Sequence, residues 1–384
     1  MTWSALAAEL DALEARDLLR RRRRLQSPQS ARATVDGRLY TAFCSNDYLG
    51  LAADPRLVRA ACEGAAQYGV GSGASHLVLG HSAAHEALEE ALARFVGLPR
   101  ALLLSTGYMA NLGAVSALVG REDAVFADRL NHASLNDACL LSRAQFRRYP
   151  HRDPDALARL LAATRARRRL IVTDAVFSMD GDLAPLPALL ELAERYDAWL
   201  LLDDAHGFGV LGRGGRGTLD HFRVSAERVV YMATLGKAAG VFGAFVAGHE
   251  AVVRTLMQRA RTYVYTTATP PLLAAAILKS LELIEAEEWR RERLRELIGL
   301  LKRGCAARCR LLDSDTAIQP LLIGGNREAV AVSEKLARRG LLVPAIRPPT
   351  VPQGSARLRI SLSAAHRPED VGELAAALCE LAGA

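Results

Sequence analysis

Between about residues 82 and 250, short apolar runs alternate with longer stretches of helical period, and this alternation limits the possible folds more than any other feature. The runs are ALLLS (101–105), AVFAD (124–128), LIVTDAV (170–176), AWLLLDD (198–204), VVYMAT (229–234) and GAFVAG (243–248). Most are continuously apolar rather than alternating, as in strands covered by helices on both faces. The expectation is an α/β fold with a mainly parallel sheet sandwiched by helices. In such a fold, functional residues gather just past the carboxyl ends of the strands.

The flanking regions differ from this core. Residues 2–25 read as an amphipathic helix ending in five arginines, Arg20 to Arg24. Residues 270–311 open with Pro270 and Pro271, which suit a helix start, and continue as two long helical stretches. From about residue 316 the order is strand (AIQPLLIG), helix (326–339), strand (LLVPAI), loop (RPPTVPQG), strand (ARLRISL) and helix (368–382), a smaller C-terminal α+β domain. The expected division is an N-terminal helix with short strands over 1–45, a large α/β domain over 46–270 and the smaller domain over 271–384.

Composition narrows the class. No apolar run reaches the roughly 20 residues a membrane helix needs. MTWSALAAELDALEARD puts acidic residues where a signal peptide has basic and apolar ones, so the expectation is a globular, cytoplasmic chain with no membrane partner. Six cysteines without a CxxC pair read as reduced. A net charge of +7 over 384 residues is too dilute to argue for nucleic acid. With aromatic residues at 5%, no stacking platform accompanies the arginine run, which speaks against a nucleic-acid-binding protein.

Only four of the 49 basic residues are lysines, and Lys279, Lys302 and Lys335 lie in helical settings suited to solvent. Lys237, in YMATLGKAAG, ends an apolar strand among small neighbours, where a long amine reaches into a cleft. Partial desolvation there favours the neutral amine that forms an imine, although a solvated surface lysine stays open on these residues alone. Asp203 and His206, in LLLDDAHGFGVLG, follow a buried strand. They suit a turn-capping acid, a metal site lacking a third ligand, or pyridoxal phosphate (PLP), where an acid holds the pyridine nitrogen protonated and an imidazole bonds the ring hydroxyl. In STGYMANLG, Gly107 and Tyr108 open a helix whose N–H groups suit a phosphate, a common junction taken singly. His132 in RLNHASL, Ser178 in VFSMDGDLAPL and Thr234 complete five strand ends that each deliver a group suited to one cofactor. His81 and His85 lie four apart, as do Cys305 and Cys309; without further ligands nearby both pairs read as packing.

SNDYLGL (45–51), GSGASHLVLG with HEALE (71–89), GYMAN, NHASL, VFSMDGD, DDAHGFGVLG and TLGKA, in this order, resemble the α-oxoamine synthases over nearly the whole chain. The resemblance implies the PLP-dependent transferase fold type I and a homodimer with shared active sites. It implies that Lys237 carries PLP, that His132 stacks on the ring, and that Asp203 and His206 hold its nitrogen and hydroxyl. Gly107, Tyr108, Ser178 and Thr234 are implied cofactor contacts, and Thr267 a contact to the phosphate in the partner subunit. Asn46 and Arg359 match positions for the amino-acid carboxylate; Arg20 and Thr350 match contacts to the acyl substrate. DTAIQPLLIG and AIRPPTVPQGSARLRISLSAAH are most similar to the biotin-pathway branch, which joins L-alanine to pimeloyl-CoA or pimeloyl-acyl carrier protein. A member using glycine or serine with another acyl thioester is the alternative. Two departures stand out: AAGVFGAF after the lysine, where many relatives have a glycine two residues on, and Asp174, where close relatives often have Glu. For Arg21 to Arg24 the residues suggest a charged helix end that favours the C-terminal dipole.

Overall fold

The computed structural model describes residues 3–225, 227–305, 309 and 311–382. Thr2 of the expected first helix, and residues 306–308 and 310 of the helical stretch expected over 270–311, lie outside the described residues. In chain order, helix α1 (Trp3–Ala15) precedes a hairpin of β1 (Arg32–Val35) and β2 (Arg38–Ala42), then α2 (Pro55–Tyr68) and α3 (Ala83–Val96). The alternating region follows: β3 (Arg100–Leu104), α4 (Gly107–Leu118), β4 (Ala124–Asp128), α5 (Ala133–Ser142), β5 (Gln145–Tyr149), α6 (Pro154–Ala163) and β6 (Arg169–Asp174). It continues through α7 (Leu186–Arg195), β7 (Ala198–Asp203), α8 (Thr218–Phe222), β8 (Val229–Thr234) and β9 (Ala244–Gly248). Helices α9 (Glu250–Arg259), α10 (Arg261–Val264), α11 (Pro271–Ala286) and α12 (Glu288–Cys305) lead to the C-terminal elements. These are β10 (Ile318–Gly324), α13 (Asn326–Arg338), β11 (Leu341–Leu342), β12 (Ala345–Ile346), β13 (Ala356–Ser361) and α14 (Pro368–Ala382).

The chain forms two compact units. The larger spans Leu51–Ser178 and Leu183–Arg291; the smaller gathers the chain up to Gly50, Met179–Asp182 and everything from Glu292. The expected boundaries at 45 and 270 therefore move. Helix α11 packs on α2 and α3 and so belongs with the sheet rather than with the C-terminal elements. Met179–Asp182 joins the smaller unit because Arg357 donates to Asp180 at 2.6 Å, and Ser314 and Thr316 donate to the Gly181 carbonyl at 2.9 and 3.0 Å.

In the larger unit seven strands form one sheet in the order β3-β9-β8-β7-β6-β4-β5. All run parallel except β9, which is antiparallel to both its neighbours. The core pairs strand residues such as Val125, Leu170, Leu201, Val230 and Val246 with small residues of α4 and α5, including Ala110, Ala114 and Ala138. Fully burying one such Leu or Val contributes about 1.5–3 kcal/mol. All six expected strands are present. The seventh, β5, reads QFRRY and lacks that signal: it sits at the sheet edge, where exposed charged residues replace the continuous apolar run.

The smaller unit departs from expectation twice. Helix α1 stops at Ala15; Asp17 takes a left-handed φ of 55°, and Arg20 to Arg24 run without helical structure toward a bridge between Leu25 and Val35. The arginines are thus no helix end. Packed like charges on one short helical stretch repel, whereas an extended run separates them. The expected strand LLVPAI splits at Pro344: β11 pairs parallel with β2, while β12 pairs antiparallel with β13. Proline lacks the N–H a continuous ladder needs.

Asp54 anchors the start of α2. Its Oδ1 accepts from the Arg56 backbone N–H at 2.9 Å, and its Oδ2 accepts from Arg56 at 2.8 Å and from Arg290 at 3.2 Å. Glu287 binds the same two guanidiniums. Hydrogen bonds from Arg56 above all hold the Asp54 carboxyl down to about 2, against an ordinary 3.8. A lowered carboxylate pKa stabilises the fold above the unfolded value and ceases to as pH falls through the folded one. Asp54→Asn is expected to lower the unfolding free energy by on the order of 2 kcal/mol at pH 7. In denaturant titrations the gap from the parent closes between about pH 4 and pH 2.

Candidate active site

The six parallel strands end on the same side of the sheet, and the carboxyl ends of β3, β4, β6, β7 and β8 surround a cavity of about 200 Å³ lined by Gly107, Tyr108, Asn111, His132, Asp174, Asp203, His206, Thr234 and Lys237 among others. Asp203 closes β7 in direct register with Asp174 on β6, so two buried carboxylates stand side by side. Asp203 accepts from Asn111 Nδ2 at 2.7 Å and from the Ala205 N–H at 3.0 Å. Asp174 accepts from the His132 N–H at 2.6 Å. Burial, and then the neighbouring Asp203 charge, push the Asp174 carboxyl well above the ordinary range.

The next residue faces the other way. Asp204 is fully buried and accepts from the Thr218 N–H at 2.7 Å and from the Tyr231 hydroxyl at 2.8 Å. Burial raises it to about 7. Consecutive side chains leave a strand on opposite faces, so one acid reaches the cavity while its neighbour ties down the turn behind it. A Cβ on Gly207 would stand 2.1 Å from Asp204 Oδ1, which is why only glycine follows His206.

His132 caps α5, its Nδ1 accepting from the Ser134 N–H at 3.2 Å and lying 2.8 Å from the Ser134 hydroxyl. Asn131 fixes this loop on β6, donating to the Val172 carbonyl at 2.8 Å and accepting from the Asp174 N–H at 3.1 Å. Desolvation by the cavity wall lowers the His132 pKa; the Asp203 charge opposes this and that of Lys237 adds to it. Lys237 Nζ lies 2.9 Å from His206 Nε2. Thr234 donates to the Gly243 carbonyl at 3.0 Å and accepts from the Gly236 N–H at 3.3 Å, bracing the turn that carries Lys237. Gly240 closes that turn at φ 70°, with room for a Cβ blocked 2.6 Å away by the Ala52 backbone. Ala239, two residues after Lys237, is buried beside Ala238, and its carbonyl accepts from Ser280 at 2.7 Å.

Thr106 caps α4 through Met109, leaving Gly107 and Tyr108 with the first two N–H groups of a helix, which have no intrahelical partner. The Tyr108 hydroxyl binds Asp137. Ser178 follows the β6 strand end, half-buried, but does not line the cavity. Thr267 is exposed in the loop after α10. In the smaller unit, Asn46 Oδ1 accepts from the buried Arg359 at 3.1 Å and from the Tyr48 hydroxyl at 3.2 Å, and Arg359 also donates to Ser361 at 2.8 Å. Arg20 and Thr350, 330 residues apart, meet at 3.5 Å.

Asn111, Ser134 and Asp204 escaped the sequence reading. Asn111 had a usable signal: it lies four residues after Gly107, on the same helix face. The two pairs read as packing each gain a third member, His76 beside His81 and His85, and Cys379 beside Cys305 and Cys309. His85 spends both ring nitrogens on the protein, at the Ser82 N–H (3.0 Å) and the Thr269 carbonyl (2.7 Å).

A family model described as aminotransferase class I and II matches residues 40–378. The 8-amino-7-oxononanoate synthase of Nitrosospira multiformis is 67% identical over 367 residues, covering 95% of this chain and 93% of that protein. The one from Nitrosomonas eutropha is 63% identical over 382 residues, covering 98% and 99%. A solved serine palmitoyltransferase from S. paucimobilis with bound PLP–myriocin superposes with a TM-score of 0.93 at 28% identity, over 99% of this chain and 97% of that one.

The donor set of the cavity fits PLP. A buried carboxylate held by neutral N–H donors, as Asp203 is, calls for a cationic N–H partner. The α4 start offers N–H groups to a phosphate, and the Lys237 amine opens on the same space. Asn111→Ala, which strips Asp203 of its side-chain donor, is expected to cost about 1–3 kcal/mol in denaturant unfolding. It should also weaken retention of PLP on dialysis.

Proposed function

The chain belongs to the class I and II aminotransferase family, and from that premise we propose that it is a PLP-dependent acyltransferase of biotin biosynthesis. It condenses L-alanine with a pimeloyl thioester, giving 8-amino-7-oxononanoate, CO2 and the free thiol carrier. The observation that carries this reading is the meeting of Asp203, His206 and Lys237 around one cavity, in a chain so close in sequence to synthases of that product. When bound, PLP supplies a covalent hold on an amine and a ring that draws electron density from the adjacent carbon.

The chain's own groups do the rest. Asp203 holds a proton at the ring nitrogen. His206 fixes the Lys237 amine and bonds the ring hydroxyl, and His132 covers the ring face. Lys237 holds the cofactor at rest, then takes the α-proton of alanine at Nζ and later returns one, as general base and acid. Gly107, Tyr108, Ser178 and Thr234 are assigned to cofactor contacts, with Thr267 reaching the phosphate in a partner subunit. Arg359, oriented by Asn46 and Ser361, is assigned to the alanine carboxylate; a guanidinium suits that group through two parallel donors. Arg20 and Thr350 are assigned to the acyl chain's terminal carboxylate.

The acyl donor is pimeloyl-CoA or pimeloyl-acyl carrier protein, and the Arg20 to Arg24 run suits either anionic carrier. The working form is a homodimer. Leu77, Val78 and Leu79, 46, 78 and 86% exposed in sequence, present an apolar patch that a second copy would cover. Six free thiols suit the reducing cytoplasm. The test is product formation followed by mass spectrometry with pimeloyl thioester and alanine, glycine or serine. Alanine is expected to turn over fastest, with 8-amino-7-oxononanoate as product; a preference for serine or glycine would overturn the substrate assignment while leaving the family intact.

A further inference from the structure

Far from that cavity in sequence, three cysteines come together in the smaller unit. Cys305 ends α12, Cys309 follows four residues on, and Cys379 comes from the last turn of α14. Their sulfurs all lie within 4.8 Å of one another, and Cys309 and Cys379 are 3.5 Å apart. Zinc–thiolate bonds of about 2.3 Å place the sulfurs of a tetrahedral site about 3.8 Å apart, so this triangle needs little adjustment to hold one ion.

We propose that Cys305, Cys309 and Cys379 form a three-thiolate site for one divalent, thiophilic cation of the Zn(II) class, with the fourth position open to solvent. Three further observations support the assignment. Cys305 is fully buried while Cys309 and Cys379 are only partly so, which gives the ion a floor and an entrance. The C-terminal ends of two helices converge on the sulfurs, and Cys379 donates to the Gly304 carbonyl at 3.3 Å; carbonyl ends favour a cation. Sulfur-only ligands select soft metals over magnesium or calcium.

On binding, each thiol gives its proton to solvent and its sulfur lone pair to the metal, leaving a net charge of −1 on the three-thiolate site. No oxidant is needed. The site joins the end of α12 to α14, so loading it ties together two helices of the smaller unit.

The test titrates reduced, PLP-loaded full-length protein with Cd(II) and follows sulfur-to-cadmium charge-transfer absorption. One Cd(II) per chain is expected, lost in Cys309→Ser and in Cys379→Ser, and retained in Cys62→Ser, which alters an exposed thiol elsewhere. Alanine condensation should stay at the parent level in all three variants, which shows that they fold. In the parent, Zn(II) should protect Cys309 and Cys379 from iodoacetamide, a readout that needs no variant. Unprotected thiols, charge transfer that survives both substitutions, or a Cys309–Cys379 disulfide in protein prepared with Zn(II) would each overturn the site.

Discussion

The arrangement at the strand ends depends on one costly placement: two carboxylates, Asp174 and Asp203, buried side by side on adjacent parallel strands. Uncompensated, such a pair opposes folding. It is tolerated because each acid has its own donors, the His132 N–H for Asp174, and Asn111 with the Ala205 N–H for Asp203. Those donors set the site's geometry. The bond to Asp174 fixes the loop that presents the His132 ring, and the bond from Asn111 ties α4, with its free N–H groups, to the acid on the floor. On the proposed assignment, a cationic ring nitrogen over Asp203 would complete the compensation, so holding the cofactor and relieving the buried charge would be the same event.

Asp204 explains why the floor stays put. The strand's alternation turns it away from the cavity, where Thr218 and Tyr231 hold it behind the turn that carries His206. Its elevated pKa, near 7, marks how strongly it is buried. His206, two residues beyond Asp204, lies 2.9 Å from the Lys237 amine.

Much of this was legible in the residues. Continuous apolar runs marked six of the seven strands of the main sheet, and Lys237 stood apart from Lys279, Lys302 and Lys335 as the lysine at a strand end among small neighbours. What failed to show were partners whose spacing in sequence says nothing of their proximity. Asn111 meets Asp203 across 92 residues, and Cys379 meets Cys309 across 70. Edge position hid β5, because an edge strand does not need the apolar run by which buried strands are recognised. Helical period misled at Arg20 to Arg24, where a left-handed residue at Asp17 ends the helix before the arginines begin. The split of LLVPAI was foreseeable from Pro344, since a missing N–H ends a ladder wherever it falls.

The central claim is that the Asp203 charge, not merely its shape, makes the bound cofactor reactive. Asp203→Asn keeps the size and one carbonyl oxygen, so the most direct measurement is the kcat of this variant alongside its PLP absorbance and its unfolding curve. The account predicts a folded protein that still takes up PLP but turns over alanine at least about 10²-fold more slowly. A folded, PLP-loaded Asp203→Asn protein with near-normal kcat would contradict it.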